Sequence, residues 1–400
     1  MHFVRSIGMG AAIACGLESV PGSCICPAAN ASALQQSYYP NTANCAEFMI
    51  PVTFESENPV FAFPKWDDDY ALEDFLAVAT TRPSAMLGSL VTGTKTEKFT
   101  RQIAASFCTP KNPDGKEKNV ILATHGIGQA RSHWNSPYRP SDYNFVQHAI
   151  SKGYSVFFYD RLGTGFSEKV SGYENQLSNQ VALLQSLTSI VKSGEYTPGI
   201  GKPNKLAVMG FSFGSYVTHT AIAGKPDIAD AAILTAIGLN LTGVNANGLV
   251  RSFVPRIAAQ QDGLRFGELD NGYLTWVDKF AQINTYFKKP FYDIPTADFA
   301  EANKEAFAIA EFLTILNGNN GSLDASGFTG SVLAISGIED YIVCDGYCPG
   351  IFDEPASTYY RNAKPFVPYL HPNSSHNFNF HHNATGAYQV ITDFLDENLK

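Results

Sequence analysis

Short apolar runs alternate with helix-like stretches over most of the chain after residue 119. Between these runs, stretches such as Gln176–Lys192 and the C-terminal Ala387–Leu399 carry apolar residues at helical spacing. Continuous apolar strands alternating with helices are typical of a parallel sheet covered on both faces. The predicted strands of this kind are Asn119–Thr124, Tyr154–Asp160, Lys205–Met209, Asp230–Ile237, Ser331–Ser336 and Pro365–Leu370.

Two further strands with a different pattern are predicted before residue 119. Phe99–Cys108 alternates apolar and polar residues, which indicates a half-buried antiparallel strand. Glu47–Phe54 is interrupted by Pro51, and proline cannot donate to a strand ladder, so this strand is expected at a sheet edge. A helix is expected over Asp69–Thr80. The fold class predicted is α/β, with a mostly parallel sheet of about eight strands.

About 90 residues between two of the predicted strands do not follow the alternation. This region, residues 239–329, is called the inserted segment below, and its spacing predicts several helices. A loop this long usually serves function or forms a subdomain, so a helical cap over the active site is expected. The alternative is a second packing layer. The aromatic residues available to either are Phe253, Phe266, Tyr273, Trp276, Phe280, Tyr286, Phe287, Phe291, Tyr292, Phe299, Phe307 and Phe312.

These patterns divide the chain into five parts. The first is expected to be a signal peptide, the second an N-terminal arm with an edge strand, and the fourth the helical cap. The third and fifth together form the α/β core. The corresponding residues are 1–22, 23–97, 98–238, 239–329 and 330–400.

Composition and charge exclude several function classes. The hydrophobic fraction of 44% suffices for a large core. The net charge of −9 and the absence of a Lys/Arg cluster argue against nucleic-acid binding and against attraction to anionic membranes. No apolar run reaches the roughly 18 residues of a membrane span. Oligomeric state is left open.

The N-terminus favours secretion. A short basic start is followed by the apolar stretch Ile7–Leu17, which is typical of a signal peptide, although a cytosolic N-terminus is the alternative. Of seven cysteines, Cys15 lies in this segment, and the other six are enough for three disulfides. Only the local pair Cys344–Cys348 is predicted specifically. A metal site is the rival interpretation, but the cysteines lack C-x2-C pairs.

Glycosylation is a further expectation of a secreted product. Single sequons are weak signals, because they arise often by chance. The asparagines of the five N-x-S/T sequons are Asn30, Asn240, Asn320, Asn373 and Asn383.

The strongest chemical motif is G-x-S-x-G at Gly210–Gly214. It follows a predicted strand and precedes a helix-compatible run. A serine hydroxyl becomes a useful nucleophile when a tight turn projects it towards a base, and small residues on both sides make that turn possible. Ser212 is therefore the candidate nucleophile.

An acid and a base follow Ser212 in the order that such a turn requires. Asp340 comes just after the strand Ser331–Ser336, with Glu339 as the reserve candidate. His376 falls between the last strand and the last helix, where a base that reaches Ser212 is expected. A Ser212–His376–Asp340 triad is predicted.

Two backbone N–H groups are needed to stabilise the negatively charged oxygen of the intermediate. Phe213, directly after the nucleophile, supplies one. The other is assigned to Ile127 in the glycine-bearing loop after the strand Asn119–Thr124, with Gly128 in reserve. His125 precedes the nucleophile in the chain and is interpreted as a brace for this loop.

A second glycine-rich stretch spans Tyr159–Ser167. Its G-x-G resembles a nucleotide-binding loop, but the third glycine of the full motif is replaced by Glu168. It is interpreted as a turn held by Asp160 and Arg161.

Taken in order, five stretches resemble landmarks of the α/β-hydrolase superfamily. They are His125–Gly128, Asp160–Ser167, Gly210–Gly214, Gly337–Asp340 and Ser375–Phe378, and the resemblance covers about residues 95–400. It implies a Ser-His-Asp triad, an oxyanion hole and a helical cap that shapes substrate choice.

Within the superfamily, the chain looks closest to secreted fungal members, which share a Cys-x-Pro such as Cys108–Pro110 before the core. Phe211 stands where many lipases have histidine, and the elbow differs from that of proline iminopeptidases. The substrate of neither subfamily is carried over.

These observations predict a serine hydrolase that cleaves an ester or lactone of a bulky apolar molecule, without metal or cofactor. The aromatic inserted segment is the reason for expecting an apolar substrate. The alternative is acyl transfer or cyclisation by the same triad, for which a site that excludes water would argue. A non-catalytic binding protein on the same scaffold would be expected to lack a triad member, and all three are present.

Overall fold

A computed structural model describes residues 38–81, 90–242, 244–316 and 324–400. Several predictions concern residues outside these ranges. They are the signal peptide at 1–22, Cys24, Cys26, and the sequons at Asn30 and Asn320.

Eleven strands are formed in the described ranges, and eight of them make one sheet. Its order is β1-β2-β4-β3-β5-β6-β10-β11. β2 runs antiparallel to β1 and β4, and the other neighbours are parallel. The predicted mostly parallel, eight-stranded sheet is confirmed. The strands are β1 (Ala43–Phe61), β2 (Val91–Pro110), β3 (Asn119–Thr124), β4 (Ser155–Tyr159), β5 (Lys205–Phe211), β6 (Ala231–Thr235), β7 (Pro255–Ile257), β8 (Tyr273–Trp276), β9 (Phe307–Ala308), β10 (Ser331–Gly337) and β11 (Phe366–His371).

Helices cover both faces of the central strands. Every residue of β4, β6 and β10 is buried, and successive side chains point to opposite faces, so neither face meets solvent. The helices are α1 (Asp69–Ala79), α2 (Pro140–Tyr143), α3 (Phe145–Ser151), α4 (Leu177–Ser193), α5 (Phe213–Gly224), α6 (Ala246–Ser252), α7 (Ala258–Gln261), α8 (Gly263–Phe266), α9 (Lys279–Tyr286), α10 (Ile294–Ala302), α11 (Ile309–Leu316), α12 (Tyr341–Cys344), α13 (Ala356–Tyr359) and α14 (Ala384–Asn398).

The first two strands are much longer than predicted. They pair with each other over almost their whole length, and β1 forms the expected edge of the sheet. The predicted boundary at residues 97/98 therefore falls inside β2. The sequence pattern did not predict the extension of β1, because two of its buried positions, Ser56 and Asn58, are polar. Their side chains bond to Asn179 and Ser178 of α4 at 2.8 and 2.6 Å.

Two disulfides are present in the described ranges. Cys344–Cys348 forms as predicted. Cys45–Cys108, which the sequence did not single out, joins directly opposed residues of β1 and β2. The Cys45–Cys108 bridge thus fixes the register of β1 and β2 at the end that is far from the segment connecting the two strands.

The inserted segment is not purely helical. Besides α6 to α11 it contains a small antiparallel sheet, in the order β7-β8-β9. These strands are two to four residues long, too short for an alternating pattern to appear in the sequence. The prediction of a helical cap is corrected in this respect. In the described residues, no helix has the length and apolar character needed to cross a membrane.

Candidate active site

Ser212 occupies the tight turn between β5 and α5. Its φ of 53° and ψ of −118° are unusual for a residue with a side chain. A Cβ on Gly210 would lie 2.2 Å from the Gly214 carbonyl oxygen, and one on Gly214 would lie 2.3 Å from the Thr124 carbonyl oxygen. Both glycines are therefore required by close backbone contacts.

Ser212, His376 and Asp340 form a continuous hydrogen-bonded row. The Oγ of Ser212 lies 2.8 Å from His376 Nε2, and His376 Nδ1 lies 2.7 Å from Asp340 Oδ2. Asp340 also caps α12, since its Oδ1 accepts the N–H of Ile342 at 2.8 Å. The alternative acid, Glu339, instead approaches an exposed lysine.

The row is almost completely shielded from solvent. His376 and Asp340 are fully buried, and Ser212 is 9% exposed. Burial strengthens electrostatic interactions among these groups, because water no longer competes for them. The sequence-predicted residues are thus brought together in a site that needs an opening for substrate to enter.

Hydrogen bonds from two side chains anchor the backbone of the predicted oxyanion loop. The Gly126 carbonyl accepts from His125 Nδ1 at 2.9 Å and from an Arg161 guanidinium nitrogen at 3.2 Å. Because a trans peptide is planar, anchoring this carbonyl also fixes the direction of the Ile127 N–H. Phe213 is the first residue of α5, so its N–H has no intrahelical acceptor.

His125 acts as the predicted brace. Its Nε2 accepts the N–H of Arg161 at 3.0 Å, so the ring joins two loops. Burial, followed by the nearby Arg161 charge, lowers the pKa of His125 well below its usual value. The ring is therefore neutral, in agreement with one donating and one accepting nitrogen.

A family model described as the alpha/beta hydrolase family matches residues 120–385. The chain belongs to the alpha/beta hydrolase family.

Among solved structures, a hydrolase from Pseudomonas aeruginosa has 14% identity and a TM-score of 0.50, covering 74% of this chain and 95% of that one. BpoC from Mycobacterium tuberculosis has the same identity and score, with 74% and 96% covered. Both are similar in fold. No curated protein sequence matches the chain. The likeness to secreted fungal members stays a prediction.

In this alpha/beta hydrolase, the glycine-rich turn is held mainly by Asp160. Its carboxylate accepts the N–H groups of Arg131 and Phe166 at 2.7 and 2.9 Å, and a Cβ on Gly165 would lie 2.4 Å from it. Arg161 also holds the turn, through its backbone: its carbonyl accepts the N–H and the hydroxyl of Thr164 at 3.0 and 2.8 Å, while its guanidinium bonds to groups outside the turn.

Arg161 also links the inserted segment to the oxyanion loop. Its guanidinium forms a fully buried ion pair with Glu311 of α11, 150 residues away, and lies 4.6 Å from the Phe213 ring. Gln180 also donates to Glu311, at 2.8 Å. Burial raises the pKa of Glu311, although Arg161 opposes that shift. Nothing local in the sequence indicates this pairing.

Tyr286 of the inserted segment covers the site directly. Its hydroxyl donates to the Ile127 carbonyl at 2.7 Å, and its own carbonyl accepts the Asn377 N–H at 3.0 Å. The Tyr286 ring lies 5.3 Å from the His376 ring and 5.2 Å from that of Trp276. The sequence included Tyr286 only as one of many aromatic residues.

A small cavity lies beside the covered site. Its volume is about 40 Å³, and it is bounded by the oxyanion loop, the inserted segment and the residue after His376. A larger cavity, about 320 Å³, lies along β1 and β2 and has no triad residue in its wall. The larger of the two cavities is therefore not the one that adjoins the triad. The polar residues of the small cavity include Gln129, Ser132, His133, Gln282, Lys304 and Asn377.

Proposed function

We propose that this chain is a carboxylic ester hydrolase that uses Ser212 as nucleophile, His376 as base and Asp340 as the group that orients the base. The observation that carries the proposal is the unbroken contact from Ser212 Oγ through the His376 ring to Asp340. Family membership supports hydrolase chemistry but not a substrate.

The proposed reaction has two halves. Ser212 Oγ attacks the ester carbonyl while His376 takes its proton; the ester bond then breaks, and His376 gives the proton to the leaving alcohol. Water, deprotonated by His376, attacks the acyl-enzyme and releases the acid together with free Ser212. Asp340 stays ionised, accepts from His376 Nδ1 and stabilises the imidazolium that forms in each half.

Two N–H groups are proposed to bind the developing oxyanion. The hydrogen bonds to the Gly126 carbonyl fix the orientation of the Ile127 N–H. The Phe213 N–H has no acceptor within its helix, because Phe213 is the first residue of α5. Donors that need no rearrangement are the effective ones, because their orientation is already fixed before reaction.

The substrate is proposed to be an ester or lactone. A bulky apolar substrate remains a prediction; the cavity beside the site holds only a few heavy atoms, so a bulky molecule would have to displace part of the inserted segment. We also propose that residues 239–329 act as the cap.

The decisive experiment is a panel of chromogenic esters and lactones with wild type and Ser212→Ala. We expect turnover by the wild type and a loss of at least about 10³-fold in the variant, with an unchanged fold. Full activity of Ser212→Ala would contradict the assignment. A fluorophosphonate adduct on Ser212 is expected as well, and its absence would favour a non-catalytic binding protein.

Acyl transfer or cyclisation is the second candidate, favoured by the burial of the row. An acyl-enzyme shielded from water can react with an alcohol instead. Product analysis with competing alcohols separates the two, because a hydrolase gives mainly acid and a transferase mainly the new ester.

We further propose that the chain is secreted after removal of a signal peptide near residue 22. The two disulfides support an oxidising compartment. N-terminal sequencing of the protein recovered from the medium of expressing cells tests this; an intact Met1 in an intracellular product would contradict it.

A further inference from the structure

The Cys344–Cys348 disulfide lies against the turn that carries Asp340. This turn begins at Gly337, the last residue of β10, whose carbonyl accepts the Asp340 N–H at 3.2 Å. Cys348 Sγ lies 3.0 Å from the Gly337 carbonyl oxygen, and Cys344 Sγ lies 2.8 Å from the Asp340 carbonyl oxygen. The two sulfur atoms therefore contact the backbone at both ends of the turn.

A single turn of helix orients the Asp340 carboxylate. Its Oδ1 accepts the N–H groups of Ile342 and Val343 at 2.8 and 3.2 Å. Its Oδ2 is then left to face His376, at 2.7 Å. The helix that supplies these N–H groups, α12, has only four residues, and a helix this short does not persist by itself because nucleation is unfavourable. The position of α12 therefore depends on groups outside it.

Cys348 is well placed to supply that support. Its side chain is fully buried and packs in a small apolar cluster with Val343 and Ile351. Its backbone N–H donates to the Ile338 carbonyl at 3.2 Å. The disulfide joins this buried residue to Cys344, the last residue of α12. The helix that orients the acid is thus tied covalently to a residue that packing holds in place.

The residues between the two cysteines hold this geometry only weakly by themselves. Asp345 has a φ of 52°, in the left-handed region that residues with a side chain adopt at a cost. Its carboxylate accepts the Asn245 N–H at 3.0 Å in an exposed position, where water competes for the same groups. Without the disulfide, we expect this segment to relax and α12 to move with it.

The other disulfide of the described residues provides a contrast. Cys45–Cys108 joins β1 and β2, and neither strand leads to a triad residue. Both bridges restrict the unfolded chain, so loss of either is expected to lower stability. Only one of them contacts the turn of the catalytic acid.

We propose that the Cys344–Cys348 disulfide positions Asp340 for catalysis, by holding α12 so that the Asp340 carboxylate stays directed at His376. The inference rests on the proposed esterase function and adds two positioning residues to it. The disulfide acts on turnover rather than on substrate binding, since neither cysteine lies in the wall of the small cavity.

The test removes each disulfide in turn and measures kcat and KM for one ester, below the melting temperature of every variant. For Cys344→Ala/Cys348→Ala we expect kcat to fall at least about tenfold with KM changed less than about twofold, because a small misplacement of the acid slows the reaction strongly. The matched control, Cys45→Ala/Cys108→Ala, should keep kcat within about twofold of the wild type even if its melting temperature falls.

A second comparison separates positioning of Asp340 from a general structural effect. Removal of the Cys344–Cys348 bridge from an Asp340→Asn enzyme should change kcat less than about threefold, because no carboxylate is left to position. The same factor in both backgrounds would overturn the assignment to Asp340.

Reduction of the bridge gives the same test without a substitution at the turn, and so decides even if Cys344→Ala/Cys348→Ala fails to fold. Cys344 is half-buried, so dithiothreitol can reach it in the Cys45→Ala/Cys108→Ala protein, and its two thiols pass two electrons and two protons to the bridge. Alkylation and mass spectrometry verify that both cysteines are reduced. We expect kcat to fall at least about tenfold and to recover on reoxidation.

The outcomes distinguish this inference from the esterase proposal. An unchanged kcat after the Cys344–Cys348 bridge is removed or reduced would overturn the inference and leave the triad assignment intact. An equal loss of kcat in the Cys45→Ala/Cys108→Ala control would overturn it as well. If the wild type hydrolyses no ester at all, both proposals fail.

Discussion

The two sides of the site are built in different ways. On the sheet side, Ser212, Asp340 and His376 follow strands of one sheet. Neighbouring backbone lies so close to Gly210 and Gly214 that neither position has room for a Cβ atom. On the other side, the inserted segment adds side-chain contacts, from the Tyr286 hydroxyl and the Glu311 carboxylate, to two backbone bonds. The backbone bonds join Tyr286 to Asn377 and Glu305 to Gly128.

This difference suggests separate roles for the two sides, one in the catalytic reaction and the other in the choice of substrate. A position fixed by backbone contact tolerates almost no added volume, whereas a side-chain contact can be altered one atom at a time. We infer that the sheet side sets whether the reaction occurs and that the inserted segment sets which molecules react. Four substitutions test the comparison, in order of expected effect.

The largest effect is expected from Asp340→Asn. The amide can no longer stabilise the imidazolium, so kcat should fall about 10⁴-fold. Glu339→Gln is the matched control and should change kcat less than about threefold, because the Glu339 carboxylate forms a solvent-exposed ion pair with Lys288. Steady-state ester hydrolysis measures both. Similar losses in the two variants would contradict the choice of Asp340.

Glu311→Gln should destabilise the protein most. It leaves the Arg161 charge buried without a counterion, which costs about 3–5 kcal/mol. Asp298→Asn, in the exposed pair with Lys279, should cost no more than about 1 kcal/mol. Urea denaturation gives both free energies of unfolding. Equal values would show that the buried pair is not a strong link between the two sides.

Gly210→Ala should destabilise by about 3 kcal/mol, because the new methyl meets backbone that cannot move aside. Gly263→Ala is the control, since its Cβ would meet nothing within 4 Å. Thermal unfolding compares the two. A normal melting temperature for Gly210→Ala would contradict the rigidity ascribed to the elbow.

The smallest effect is expected from Tyr286→Phe, which removes only the bond to the Ile127 carbonyl. A loss of about 1 kcal/mol corresponds to roughly a fivefold lower kcat. Tyr70→Phe, on an exposed side chain, should leave kcat unchanged. An unaltered kcat in Tyr286→Phe would mean that the hydroxyl does not help to hold the oxyanion loop.

The same division explains what the sequence could predict. Ser212, Asp340 and His376 follow recognisable strands, so local patterns were sufficient to bring them together. The pairing of Arg161 with Glu311 spans 150 residues and has no periodic signal. Likewise β7 to β9 are too short to alternate. Within the core, the extensions of β1 and β2 escaped prediction, and in β1 the polar residues Ser56 and Asn58 occupy buried positions.

The Cys45–Cys108 bridge has a consequence for the integrity of the chain. It encloses everything between the two cysteines, including the connection from β1 to β2. A single proteolytic cut within this loop would leave one covalent molecule. Such a nicked protein would contain two polypeptides yet migrate as one species on a non-reducing gel, and separate into two only after reduction.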